Sequence, residues 1–194
     1  QFVRWQIAGD ELAPSDPMAM MATGFLGAGV FPTQITISEA ERVRYDAMDD
    51  MLATMGSAML ATTIGCARCH DHKYDPYTAR DFYAMSAFFA DVDESKHFAV
   101  GSNSLPTKRP PEISVLSRKD REHLTSLEAN VSKTKETEEL INKIKSRSVL
   151  TMITQSIEPR VIRILPRGNW LDESGEIVQP AIPEFFGKLD IENR

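Results

Sequence analysis

The residues most suited to chemistry lie in one short stretch, IGCARCHDHKYDP, at positions 64–76. It holds both cysteines of the chain, Cys66 and Cys69, and His70 follows the second one directly. Two thiols at this spacing span about one helical turn, so both can reach one edge of a planar group. The next residue projects beneath that group, where an imidazole can bind iron. The stretch therefore predicts one covalently attached haem c, with Cys66 and Cys69 as attachment points and His70 as proximal ligand.

Three other uses of the same stretch stay open. A zinc site needs four ligands, and Cys66, Cys69, His70 and His72 are four, although adjacent residues rarely all turn toward one tetrahedral ion. A thioredoxin-like dithiol would follow a strand, whereas a long predicted helix precedes this stretch. A structural disulfide would suit an exported protein.

The motif does not identify the second axial ligand of the iron. The candidates for a distal or supporting role are His72, His97, Met55 and Met85. We expect His72 to support the site without binding the iron, and His97 to be a solvated loop residue. Methionines at helical spacing are expected to pack as core against the porphyrin. If no side chain reaches the iron, the site is open to a small ligand.

Several residues of the tail are candidates for contacts with the haem or with the core. The guanidinium groups of Arg163 and Arg167 suit bidentate contacts with haem propionates, and a surface position explains them equally well. The aromatic residues Trp170, Phe185 and Phe186 are expected to anchor the tail to the core.

The composition excludes several classes of protein. The 194 residues are 42% hydrophobic and 26% charged, which is typical of a globular protein and not of a disordered one. The net charge of −6 argues against nucleic acid as a partner. No apolar run is long enough to span a membrane. Since there is no initial methionine and no visible signal peptide, we interpret the chain as a processed product or a piece of a longer protein.

Hydrophobic periodicity predicts four helices around the motif, over residues 2–12, 17–23, 38–60 and 78–90. Ser38 with Glu41 and Thr78 with Asp81 have the spacing of capping boxes. The expected fold is mainly α with little strand, its helices surrounding a single c-type haem. A strand is expected within residues 159–166.

The chain divides into four predicted segments. These are a haem-c domain (1–98), a linker (99–113), a helical hairpin or coiled coil (114–150) and a loop-rich tail that starts a second domain (151–194). The hairpin is expected to break near Ser132-Lys133-Thr134, and its helices are a possible surface for an oligomer or a complex.

Several motifs carry a resemblance to a known family. Four segments resemble, in order, the cytochrome-type domain of a large family of exported planctomycete proteins of unknown function. They are ATGFLGAG, RVRYDAMDDM, TIGCARCHDHKYDP and FYAMSAFF. PRVIRILPRGNWLDESGEIVQPAIPEFF resembles the family's second conserved domain. The resemblance covers roughly residues 1–95 and 158–186. It implies a haem-c protein of the cell envelope, periplasmic or extracellular, and it implies no particular reaction.

The first expected function is electron transfer through a six-coordinate haem to a redox partner protein or another haem domain. The alternatives are a haem-dependent oxidoreductase or small-ligand sensor with an open iron site, and a zinc-binding or structural and assembly module. No acid–base pair near the motif stands out, so the sequence leaves open whether the protein is an enzyme.

Overall fold

The computed structural model describes residues 1–32, 34–99, 108–129, 134–187 and 189. Its helices are α1 (Phe2–Leu12), α2 (Pro17–Thr23), α3 (Ala40–Met59), α4 (Ala79–Ser86), α5 (Glu94–His97), α6 (Arg118–Glu128) and α7 (Lys135–Lys145). Its strands are β1 (Glu112–Val115), β2 (Val149–Met152), β3 (Ile162–Arg163) and β4 (Ile177–Val178). The fold is therefore mainly α with short strands, as the sequence predicts.

The first two helices have the predicted bounds, and the next two begin and end differently. The predicted helix 38–60 begins at Ala40, after a 3₁₀ turn over Ile37–Glu39. The predicted Ser38–Glu41 capping box is wrong, because no side chain caps α3 and Thr36 donates to the Glu39 carboxylate at 2.8 Å instead. The predicted helix 78–90 is α-helical as far as Ser86 and then tightens into a 3₁₀ turn.

The start of α4 confirms the second predicted capping box. The Thr78 hydroxyl accepts a hydrogen bond from the backbone nitrogen of Asp81 at 3.0 Å. The Asp81 carboxylate accepts one from the backbone nitrogen of Thr78 at 2.8 Å. These reciprocal bonds satisfy donors that the first turn of a helix otherwise leaves unpaired.

The strands form two separate antiparallel pairs. β1 pairs with β2 in a register that sets Glu112 opposite Met152, and β3 pairs with β4. The strand expected over 159–166 is thus reduced to Ile162–Arg163. The sequence did not indicate β1 and β2, because four residues carry too little alternation to distinguish a strand.

The helical hairpin predicted within 114–150 is present as α6 and α7. An ion pair of 3.1 Å between Lys145 and Glu128 joins the two helices, and α7 buries Ile141 and Ile144. Thr134 caps α7 by accepting from the backbone nitrogen of Thr137. Ser132 and Lys133, where the break is predicted, and residues 100–107 of the predicted linker lie outside the described residues.

One hydrophobic core joins the helices around the motif to the tail. Its buried residues come from α3, α4, the motif turn and the tail, and include Leu52, Ile64, Phe82, Tyr83, Ile162, Leu165 and Val178. The tail is therefore packed on the helices that hold the motif. The predicted division into four segments stays a prediction. Among the described residues, no helix is both long and apolar enough to cross a membrane.

Candidate functional site

The motif begins with a 3₁₀ helix over Ile64–Arg68, placed between α3 and α4. Ile64 and Ala67 are fully buried, whereas Cys66 and Cys69 are exposed free thiols. A 3₁₀ helix has three residues per turn, so side chains three positions apart lie on the same face. One face of the turn thus anchors it in the core, and the opposite face presents both thiols to solvent.

Arg68 fastens this turn to α3. Its guanidinium group contacts Asp46 at 2.7 Å and Asp49 at 2.9 Å. Burial raises the pKa of Asp49, and the positive charge of Arg68 opposes that shift. The ion pairs therefore hold a partly buried carboxylate in its charged form as well as fixing the turn.

Tyr83 of α4 fastens the turn from the other side. Its side chain is buried, and its hydroxyl donates to the Arg68 carbonyl at 2.9 Å. Burial raises the pKa of Tyr83 to about 12. The phenol therefore stays protonated, and remains a hydrogen-bond donor, throughout the physiological pH range.

His70 has one ring nitrogen engaged and one available. Nδ1 lies 2.8 Å from the carbonyl oxygen of Asp71. Because a carbonyl only accepts, Nδ1 carries the proton and the neutral ring has its lone pair on Nε2. The side chain is exposed, and Nε2 has no hydrogen-bond partner among the described residues. A metal-binding histidine typically has this arrangement.

His72 has both ring nitrogens engaged. Nδ1 accepts from the backbone nitrogens of Tyr74 and Asp75, at 3.2 and 2.8 Å. The proton is therefore on Nε2, which lies 3.0 Å from the Thr63 hydroxyl. Only 6% of the side chain is exposed. This geometry favours the interpretation of His72 as a support for the loop over the alternative of an iron ligand.

His97 is buried, so the prediction of a solvated loop residue is wrong. It ends α5, is 1% exposed, and neither ring nitrogen has a hydrogen-bond partner among the described residues. Burial, together with the charge of Arg109, lowers its pKa to about 4. A Cβ at Gly27 would lie 3.0 Å from its ring. The position of α5 against the segment around Gly27 depends on tertiary packing, which the local sequence does not indicate.

Met55 and Met85 line an apolar cavity of about 390 Å³. Its other apolar lining residues include Ile7, Leu26, Phe88, Phe89 and Ile182, and neither cysteine nor His70 is among them. Met85 follows Tyr83 by two positions, about 200° around the helix. Since Tyr83 faces the motif turn, the cavity lies on the far side of α4. The structure does not bring these methionines together with the thiols.

The tail contributes a contact that sequence reasoning missed. Gly168, in a 3₁₀ turn over Pro166–Gly168, lies so close to Cys69 that a Cβ there would be 2.8 Å from the sulfur. No signal in the sequence relates two residues this far apart. Of the two tail arginines, Arg163 donates to the Gly175 carbonyl at 3.4 Å, whereas Arg167 is exposed and makes no ion pair with the described residues.

The predicted aromatic anchors of the tail are confirmed. The rings of Phe185 and Phe186 lie 5.1 and 6.4 Å from that of Tyr77, a buried residue at the end of the motif loop. Trp170 is partly buried against the core. The tail therefore packs against the motif loop at two places, these rings and Gly168.

The zinc alternative has no geometric support in the described part of the chain. There, no group of three or more His, Cys, Asp and Glu side chains is placed to hold a metal ion. The two rings that would join the thiols are separated, because His72 turns inward to the backbone of its own loop while His70 stays exposed.

Comparison with known families gave a match. Residues 1–94 match the model of the family PSCyt2, described as a protein of unknown function (DUF1549). Comparison with the curated proteins and with the solved structures gave no match. The match agrees with the expected resemblance to a family of unknown function, while the planctomycete source and the cytochrome character stay predictions. The part of the chain that carries the thiols is thus similar to the family PSCyt2.

Proposed function

We propose that this chain is a c-type haem protein of the cell envelope that transfers electrons through one haem. Cys66 and Cys69 hold the haem, and His70 binds its iron. The donor of the electron and its acceptor are a redox partner protein or another haem domain. Attachment of haem to such motifs takes place after export, which puts the protein in the periplasm or outside the cell.

The state of His70 carries this proposal. Its Nδ1 donates to the Asp71 carbonyl at 2.8 Å, which leaves the Nε2 lone pair free toward solvent. A hydrogen bond from Nδ1 to a carbonyl orients an imidazole and raises the basicity of its other nitrogen. Both thiols beside it are free and exposed. The residues therefore fit a haem c in chemistry, spacing and access.

The attachment chemistry needs only groups that the chain presents. Each thiol adds across one vinyl double bond, so that a carbon–sulfur bond forms and the thiol hydrogen goes to the other vinyl carbon. No electrons are gained or lost, so no oxidant is required. Once bound, the haem supplies a one-electron couple at its iron.

The surroundings of the motif suit electron transfer because they are rigid at the base and open at the surface. Ion pairs from Arg68, the Tyr83 hydroxyl and the His72 hydrogen bonds fix the turn and the loop. A rigid frame keeps the ligand geometry similar in both oxidation states. The exposed thiol face leaves the attached group within reach of a partner.

A pair of histidine variants tests the proposal. The native chain should show a haem-sized increase in intact mass and a c-type pyridine haemochrome spectrum. His70→Ala should retain part of the attached haem but change the spin state and the reduction potential, because the proximal ligand is lost. His72→Ala is the matched control, two residues away, and should leave the spectrum nearly unchanged. Replacing either cysteine by alanine should leave at most one thioether and a shifted haemochrome band.

The proposal fails if chain expressed with a haem-attachment system shows no haem-sized mass increase. Zinc content measured on the same sample would then test the alternative of a zinc-binding module.

One observation favours an open iron site as a second function. His72 is engaged by backbone amides, His97 packs beside Gly27, and the methionine cavity lies beyond α4. In the described part of the chain, none of these candidate distal ligands therefore lines a common pocket with His70. Carbon monoxide binding to the reduced protein would support a small-ligand sensor or oxidoreductase. A low-spin spectrum that carbon monoxide leaves unchanged would support a six-coordinate electron-transfer haem.

A further inference from the structure

We propose that the turn over Pro166–Gly168 forms a wall of the attachment site, in addition to the turn that carries the thiols. Gly168 is the residue of this wall that leaves room for the sulfur of Cys69. This inference rests on the proposed function. It places an essential part of the site in the tail, outside residues 1–94 that match the family model. The cysteine-bearing domain is then incomplete without the segment that follows it.

The contact between Gly168 and Cys69 leaves no room for a side chain. A Cβ at Gly168 would lie 2.8 Å from the sulfur and 3.9 Å from side-chain atoms of Arg68. The φ angle of Gly168 is +71°, a conformation that side chains disfavour. Gly187 also has a positive φ, of +99°, but a Cβ there meets nothing within 4 Å. Of the glycines that the structure describes, Gly168 alone combines a positive φ with a contact at the site.

Hydrogen bonds hold the turn and the motif at a fixed separation. Gly168 donates from its backbone nitrogen to the Leu165 carbonyl at 2.9 Å. The Tyr83 hydroxyl lies 2.9 Å from the Arg68 carbonyl and 3.5 Å from the Leu165 carbonyl. One buried phenol therefore spans the end of the thiol-bearing turn and the start of the tail turn.

The backbone before Gly168 supports the same interpretation. Arg167 has φ +55° and ψ +28°, the left-handed conformation that non-glycine residues rarely adopt. Such residues persist where the surrounding structure requires them, and they concentrate at functional sites. Two successive left-handed residues reverse the chain here and bring Gly168 against the sulfur. The wall covers one side of Cys69 and leaves Cys66 free, so the two thiols are not equivalent.

Thiol labelling of the haem-free full-length chain tests the wall directly. The rate of alkylation is measured separately for the peptides that contain Cys66 and Cys69. In Gly168→Ala, the added methyl group should displace the sulfur from the turn and speed labelling of Cys69 by at least about threefold. Labelling of Cys66 should stay at the wild-type rate. Gly187→Ala also puts an alanine at a positive φ but without the contact, and both of its rates should match wild type.

The haem-loaded protein gives a second measurement. The haem-bearing fraction, from intact mass, should fall to about half or less in Gly168→Ala and stay unchanged in Gly187→Ala. If Gly168→Ala does not fold by circular dichroism, Tyr83→Phe replaces it. Loss of that hydroxyl should loosen the wall and speed labelling of Cys69. Tyr77→Phe should not, because it removes a hydroxyl that has no hydrogen bond to the residues that the structure describes.

A Gly168→Ala chain that labels at Cys69 and loads haem as wild type does would overturn the inference. If Gly168→Ala does not fold, the inference is overturned by a folded Tyr83→Phe chain that labels at the same rates as Tyr77→Phe. If wild type carries no haem, the proposed function fails, and the labelling rates still decide whether the wall exists.

Discussion

Nδ1 of His72 accepts a hydrogen bond from the backbone nitrogen of Asp75 at 2.8 Å. The same atom accepts from Tyr74, and the backbone nitrogen of His72 donates to the Tyr77 carbonyl at 2.8 Å. One residue therefore closes the loop that follows the thiols. These bonds agree with the expectation that His72 supports the site.

We expect His72→Ala to lower the free energy of unfolding by about 1 kcal/mol, because the backbone amides of Tyr74 and Asp75 lose their acceptor. Urea unfolding followed by circular dichroism measures this loss. His123→Ala is the control, since His123 is exposed on α6 and its replacement should leave stability unchanged. Equal midpoints for the two variants would contradict the loop-closing role of His72.

We expect the burial of His97 to make stability depend on pH. Its pKa is about 4 in the folded chain and 6.5 ordinarily, because burial and the charge of Arg109 disfavour the cation more than Asp93 favours it. As pH falls from 6.5 toward 4, His97 binds a proton in the unfolded chain but not in the folded chain. Stability should therefore fall across this window by about 3 kcal/mol, with no further loss from this group at lower pH.

The measurement for His97 is the urea midpoint at several pH values between 7 and 4. His97→Leu removes the titrating group, so its stability should fall less steeply over the window than that of wild type. His123→Gln should keep the wild-type slope. Parallel pH curves for wild type and His97→Leu would show that His97 is accessible to protons in the folded chain.

We expect Arg68→Met to destabilise the chain by about 1–3 kcal/mol at neutral pH. The substitution leaves the carboxylate of Asp49 partly buried without its cation, and burial already raises the pKa of that group. The raised pKa means that the variant regains stability relative to wild type as the pH falls and Asp49 takes up a proton. Thermal unfolding at neutral and at acidic pH would show this change.

A second substitution checks the cause. Arg68→Met combined with Asp49→Asn should recover much of the lost stability, because the uncompensated charge is removed. Arg80→Met breaks an exposed ion pair with Glu176 and should cost under about 0.5 kcal/mol. An Arg68→Met deficit that Asp49→Asn does not reduce, and that pH does not change, would refute the charge explanation.

We expect Thr78→Ala to lower stability by about 1 kcal/mol, because α4 loses its N-terminal cap. Ser38→Ala is matched to it in sequence context, since both residues have capping-box spacing. Of these two residues, Thr78 caps its helix with its side chain and Ser38 does not. The thermal midpoint of Ser38→Ala should therefore stay close to that of wild type. A larger loss for Ser38→Ala than for Thr78→Ala would reverse the assignment.

The sequence by itself determined the features that depend on neighbours along the chain. The bounds of α1 and α2, the Thr78 cap and the two helices of the hairpin follow from periodicity and capping, which act within one or two turns. The Cys-x-x-Cys-His spacing likewise identifies the candidate site, because the three residues lie within five consecutive positions. Local interactions of this kind can be predicted from the sequence without knowledge of the tertiary packing.

Tertiary structure decided which other residues lie at the site. His97 is buried because α5 packs beside Gly27, and Met55 and Met85 line a cavity whose lining includes neither cysteine. Gly168 meets Cys69 only because the tail buries Ile162 and Leu165 in the core of the helices. These contacts join residues distant in sequence, and their free energy comes from burial in a shared core. No pattern within a short window of sequence reports such burial, because it depends on every element that packs there.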